Sequence, residues 1–145
     1  MFPAARQRGQ IAVFFALVVS GLVLLAAVAW EVGRIAYARG EVVKAADAAA
    51  LAAASQVDIA HYRETGEARF LPDARAVAQN FASLNSGFLR ARNIGVAVTG
   101  IGINSATLTV SVTVAADLSA LLPGFLPFRG LYGVTGYAEA RVDGR

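Results

Sequence analysis

The sequence predicts an α+β protein on a membrane anchor. A long N-terminal transmembrane helix continues into an alanine-rich amphipathic helix, followed by a second short helix and a three-stranded antiparallel sheet. Three observations carry this expectation. Residues 11–30 (IAVFFALVVSGLVLLAAVAW) contain no charge, and Ser20 is their one polar side chain. Residues 31–60 repeat small apolar side chains at three- and four-residue steps. The last third changes from that helical period to strict alternation, the mark of half-buried strands.

The first element follows from length. A helix of twenty residues rises ~30 Å, the thickness of a bilayer's hydrocarbon core. Residues 1–10 form a basic tip with Arg6 and Arg8, and no acid precedes the span. Beyond it, Glu31 and Arg34 offset each other. The positive-inside bias therefore places the N-terminus in the cytoplasm and residues 31–145 outside. Trp30 then stands at the outer interface, where an indole is favoured. A rival expectation is a secreted soluble binding module. Ala27-Val28-Ala29 has the small-x-small form of a signal cleavage site, with the cut before Trp30, although the apolar run is longer than a usual signal core.

The helix is expected to continue through residues 31–60, which contain no proline and are rich in alanine, the best helix former. Val42, Val43, Ala46, Ala49, Ala50, Ala53 and Val57 form its apolar side, against Glu41, Lys44, Asp47, Ser55 and Asp58. Residues 61–145 form the small exported domain. Its first ten residues are polar, contain Gly66 and read as a loop. Pro72-Asp73 then opens a second helix, since proline is tolerated in a first turn and aspartate suits a helix N-terminus. Ala74, Val77, Ala78, Phe81 and Leu84 give that helix one apolar side, and Asn85-Ser86-Gly87 ends it.

Residues 107–114 set Leu108, Val110, Val112 and Val114 against Thr107, Thr109, Ser111 and Thr113, a half-buried strand. Ile94, Val96 and Val98 alternate likewise, but Ile101 and Ile103 fall on the opposite parity, which predicts a bulge near Gly100. Asn104-Ser105 supplies the hairpin turn. A third strand spans about residues 131–142, with Val134, Ala138, Ala140 and Val142 inward and Tyr137, Glu139 and Arg141 outward. The alanine helix and the second helix are expected to cover one face of this sheet.

Composition narrows the chemistry. The chain has 145 residues, so about 115 lie beyond residue 30, enough for one modest domain. The 57% hydrophobic content reflects the apolar run and alanine, and no second stretch is long enough to span. A net charge of +3 is spread without a basic stripe, which speaks against a nucleic-acid partner. Cysteine is absent, which excludes disulfides, thiolate catalysis and cysteine-held metals. His61, the single histidine, has no second imidazole or nucleophile to work with, and Gly95, Gly100 and Gly102 lack phosphate-loop spacing. No enzyme is expected, and neither a cofactor nor a metal.

Two features suggest contact surfaces. Small residues let helices approach closely: Ala16 and Ser20 in the span, and Ala46, Ala49, Ala50 and Ala53 beyond it. The alanines suit either partner helices or the protein's own sheet. Residues 121–128 (LLPGFLPF) carry Leu121, Leu122, Phe125, Leu126 and Phe128 in a proline- and glycine-broken stretch. Such a loop either meets the membrane or a neighbouring subunit, or closes the end of the core.

The runs RGQIAVFFALVVSGLVLLAAVAWEVGR and AADAAALAAA resemble the TadE/TadG-like family of pilus-assembly proteins, pilin-like subunits of bacterial Flp (Tad) systems. ARAVAQNFASLN and GVTGYAEARV are similar to that family's second helix and closing strand. The resemblance implies a pilin-like, single-pass protein of the cytoplasmic membrane that helps build or tip a surface filament used in adhesion. It implies membrane lipid, other pilin-like subunits or Tad secretion-machine membrane proteins as partners, and a homo-oligomer or filament as a destination. It also implies prepilin-type cleavage between Gly9 and Gln10. Pilins and TadE-type proteins carry a glutamate five residues after that cut, where this chain has Phe14. The substitution tilts the reading toward the TadG-like side, where the helix stays a plain anchor.

Overall fold

A computed structural model describes residues 5–120 and 131–142. The chain divides into two compact units, Met1–Arg34 and Ile35–Arg145. Helix α1 (Ala5–Ala54) contributes to both. Within the first unit it presents large apolar side chains to the surroundings, and Arg34 pairs with Glu31 one turn away at 2.7 Å.

In the second unit α1 turns Ala38, Val42, Ala45, Ala46, Ala49, Ala50 and Ala53 into the core at the spacing of one helical face. The helix stops at Ala54 and does not reach residue 60. Ser55 Oγ donates to the Ala52 carbonyl, Gln56 N–H bonds to Ala53 O, and Val57 forms an isolated antiparallel bridge with Phe70. Asp58 then caps a new helix, α2 (Ile59–Thr65), by accepting from the His61 N–H at 3.0 Å. Gly66, at φ 75°, ends it in the left-handed conformation that glycine adopts without strain. The expected loop over residues 61–70 is therefore half helix. Asp58, read as the polar side of one long helix, is the N-cap of the next.

Helix α3 (Ala74–Leu84) follows Pro72-Asp73 as expected, although the Asp73 side chain makes no capping hydrogen bond. Its buried side is the alanine stripe Ala74, Ala78 and Ala82. Val77 is half-buried, whereas Phe81 and Leu84 are exposed, so the expected apolar side is rotated toward the smaller residues. Asn85 closes the helix, and a single further turn, α4 (Gly87–Arg90), places Leu89 at 0% exposure in the core.

Three antiparallel strands follow, β1 (Val96–Asn104), β2 (Thr109–Ser119) and β3 (Leu131–Arg141), in the order β1-β2-β3. Val98 pairs with Val114 and Gly100 with Thr113, leaving Thr99 as the extra residue of a bulge. That residue resets the parity, so Ile101 and Ile103 pack against the core alongside Val96 and Val98. The β1–β2 turn covers residues 105–108, so β2 begins two residues later than its alternation suggests. Asn104 Oδ1 accepts from the Ala106 and Thr107 N–H groups, and Leu108 takes φ 48° to leave the turn. In β3, Val134, Ala138, Ala140 and Val142 are buried, and Tyr137, Glu139 and Arg141 face out.

Helix α1 lies against β3 at one point that only glycine permits. A Cβ on Gly136 would come within 2.8 Å of the Val42 carbonyl carbon and oxygen. Helix α3 flanks β1 and closes its outer edge with side chains. The Gln79 amide accepts from Val98 N–H at 2.7 Å and donates to Val96 O at 2.8 Å, while Arg75 donates to Val98 O at 2.9 Å. A single carboxamide thus supplies two of the hydrogen bonds that a neighbouring strand would make.

Candidate functional site

The most exposed apolar side chains of the described residues lie along α1. Among the described residues it is the one helix long and apolar enough to cross a membrane, over Gln10–Ala54. Phe14 is 69% exposed, and its neighbours Ile11, Phe15 and Leu17 are equally open. A contiguous exposed surface of this size has no place in water. Ala16 and Ser20 lie on one side of this stretch, both exposed, and Ser20 Oγ donates to the Ala16 carbonyl at 2.8 Å. That bond satisfies the hydroxyl within its own helix, as an apolar solvent requires. The Gly9–Gln10 bond falls inside α1.

The alanine stretch is placed differently. Ala46, Ala49, Ala50 and Ala53 are all buried in the core of the second unit. Their methyls are covered by the protein's own domain. The outward side of the same stretch carries Val43, Lys44, Asp47 and Leu51, with Leu51 at 67% exposure. The residues Leu121, Leu122, Phe125, Leu126 and Phe128 lie outside the described residues.

Residues 9–56 match the Tad family model, described as Flp pilus-assembly TadE/G-like. The Tad segment therefore begins one residue before Gln10 and ends in the turn after α1, containing both the span and the alanine stretch. No curated protein and no solved structure matches the chain. The match likens residues 9–56, about a third of the chain, to that family, and the exposed apolar helix within it fits a membrane-anchored chain.

Beyond the Tad segment the domain offers shallow ground for chemistry. One concavity of about 740 Å³, open to solvent, is lined by Tyr62, residues 106–109, Arg141 and Val142, which pair no nucleophile with a base. His61 gives its backbone N–H to Asp58 and sits half-buried at the start of α2. Among the described residues no three His, Asp or Glu side chains are gathered to hold a metal. The perturbed groups are structural. Asp58 is held below the usual carboxylate range, first by the His61 N–H and then by Arg69, whose Nη2 lies 2.7 Å away. Tyr137 is raised because its hydroxyl donates to Glu139 on the outer face of β3.

Two arrangements have no signature in the sequence. One is the sealing of β1 by Gln79 and Arg75, which depends on α3 lying beside a strand about twenty residues later. The other is a cluster where α4 meets α1. The Tyr37 and Phe88 rings meet edge-to-face at 4.4 Å, and the Arg92 guanidinium stands 3.6 Å over the Phe88 ring. The spacing Phe88-x-Arg90-x-Arg92 was on view in the sequence, but nothing there tied it to Tyr37.

Proposed function

We propose that the protein is a non-enzymatic, pilin-like component of a bacterial Tad/Flp pilus machine. Residues 11–30 hold it in the cytoplasmic membrane, its N-terminus lies in the cytoplasm, and the α+β domain is exported. The carrying observation is the Tad match over residues 9–56 falling on a helix whose first half is exposed and apolar. The positive flank at Arg6 and Arg8 supports the orientation. Other pilin-like subunits or Tad membrane proteins are the partners, met through the side chains of α1 that its own core does not use: Phe14, Ala16 and Ser20 in the span, and Val43, Asp47 and Leu51 beyond it. Phe14, standing where pilins carry glutamate, favours an anchor retained in the membrane.

The test is the N-terminal peptide of the mature protein, read by mass spectrometry from membranes and from sheared surface material. An intact N-terminal segment confined to membranes is expected. A start at Gln10 in the sheared fraction would make the protein a processed filament subunit instead. A second reading has one observation in its favour: every buried residue of the domain core lies at residue 38 or later. Cleavage before Trp30 would leave that core whole and release a soluble binding module, whose mature peptide would begin at Trp30.

A further inference from the structure

The cluster where α4 meets α1 has a composition that its packing role does not explain. Tyr37 is more than half exposed and Phe88 is half-buried, with Arg92 over the Phe88 ring, Lys44 close enough to Tyr37 to interact electrostatically, and Arg90 exposed on the same short turn as Phe88. One carboxylate enters these contacts. Glu41 takes Lys44 Nζ at 2.8 Å on one oxygen and the Phe88 N–H at 3.4 Å on the other, so its hydrogen-bonding capacity is committed. Arg92 reaches back only to the Phe88 carbonyl at 3.3 Å and to the ring beneath it. Arg90 projects from the exposed side of a turn whose Leu89 is fully buried, so the turn is firmly rooted while its charges stay in solvent.

We infer that Lys44, Arg90 and Arg92, with the Tyr37–Phe88 ring pair, form a binding surface for the anionic phosphate headgroups of membrane lipids. This rests on the reading of residues 11–30 as a membrane anchor. Charge complementarity is the first argument: Glu41 balances Lys44, Arg90 and Arg92 leave the surface net positive, and anionic headgroups attract such surfaces close to a bilayer. Reach is the second. Tyr37 is seven residues beyond Trp30, so even a fully extended chain keeps Tyr37 within about 25 Å of the end of the span. Composition is the third. Amphipathic rings beside arginine and lysine are what interfacial positions favour, the rings among the headgroups and the cations on the phosphates.

The absence of cysteine makes the test direct. Ala91, exposed between the two arginines, becomes the single labelling site as Ala91→Cys, carrying a polarity-sensitive fluorophore. The full chain is placed in nanodiscs of phosphatidylcholine, with or without phosphatidylglycerol. A blue shift is expected in the anionic discs, reversed by high salt and lost in an Arg90→Glu, Arg92→Glu background. It should survive Arg90→Lys with Arg92→Lys. Equal emission in both discs, with the chain co-purifying with each, overturns this inference and leaves the anchor standing. A chain that enters neither disc overturns the anchor reading and this inference with it. A shift produced in neutral discs by inorganic phosphate or by polyglutamate would assign the surface to a free anion or an acidic protein, and would overturn the lipid assignment.

Discussion

Two stretches of α1, residues 11–30 and residues 35–54, are the same secondary structure built for different solvents. The first carries Phe, Leu, Val and Ile on every side and leaves them exposed. The second carries alanine where it meets the sheet and keeps polar groups elsewhere. Large side chains suit lipid, where there is no facing surface to fit. Alanine suits a protein core in which a helix backbone must come close to a strand, as it does at Gly136. The difference teaches that hydrophobicity alone does not locate the core: the most apolar stretch is the one that packs against least.

Substitutions at Gly136 should break the comparison most severely. Gly136→Val puts a branched Cβ within 2.8 Å of the Val42 carbonyl, and the domain should lose about 3 kcal/mol or more, the range of severe overpacking. Thermal unfolding of the full chain in detergent reads the loss, and an unchanged midpoint would mean that α1 does not lie on β3. The mirror experiment is Leu17→Arg, which costs roughly 2.5–3.5 kcal/mol of membrane insertion at a span centre. It should release the chain from carbonate-washed membranes while the unfolding midpoint stays put.

Within the second stretch the two sides should separate. Ala49→Leu, with no exposed surface to relax into, should cost about 1–3 kcal/mol. Leu51→Ser, on the outward side, should stay within ~0.5 kcal/mol for folding and instead weaken co-purification of partner subunits. Equal thermal shifts would sink the assignment of sides. Gln79→Ala should cost about 1–3 kcal/mol, because it strands the Val98 N–H and the Val96 carbonyl. Hydrogen exchange at Val98 should rise.

The smallest effect concerns pH. Asp58 has its folded pKa depressed, so the stability it contributes is present above the ordinary aspartate range, about 3.9, and is lost as pH falls through the lower folded value. Asp58→Ala should therefore lower the unfolding midpoint at pH 7, and the gap from the parent should close on acidification. A gap that widened in acid would reverse the sign of the shift.

Much of the sheet was legible because strand side chains alternate between its two faces, and a break in the alternation is itself a signal. The parity change between Val98 and Ile101 revealed the bulge, and the inward set Val134, Ala138, Ala140 and Val142 was readable directly. Helical faces were harder. In α3 the apolar side was drawn through Phe81 and Leu84, yet the sheet accepts only the alanines, since close approach outranks hydrophobic size there. Asp58 could serve either as a helix surface or as a cap, and only the Arg69 and His61 contacts decide for the cap. The span was plain from its length. The destination of the alanine methyls was not, because a small-residue stripe fits a partner and an own sheet equally well.

The Gln79 carboxamide also sets a limit on stacking sheets edge to edge. A strand arriving at the start of β1 finds its first acceptor and donor, Val96 O and Val98 N–H, already taken. Among the described residues β3 pairs only with β2, so its outer rim is open along its length, whereas the rim of β1 is interrupted at its first residues. A visiting strand would find a full register on β3 and a broken one on β1. Sheet-to-sheet growth, a standing hazard for exposed edges at high local concentration, is thereby hampered at one of its two steps.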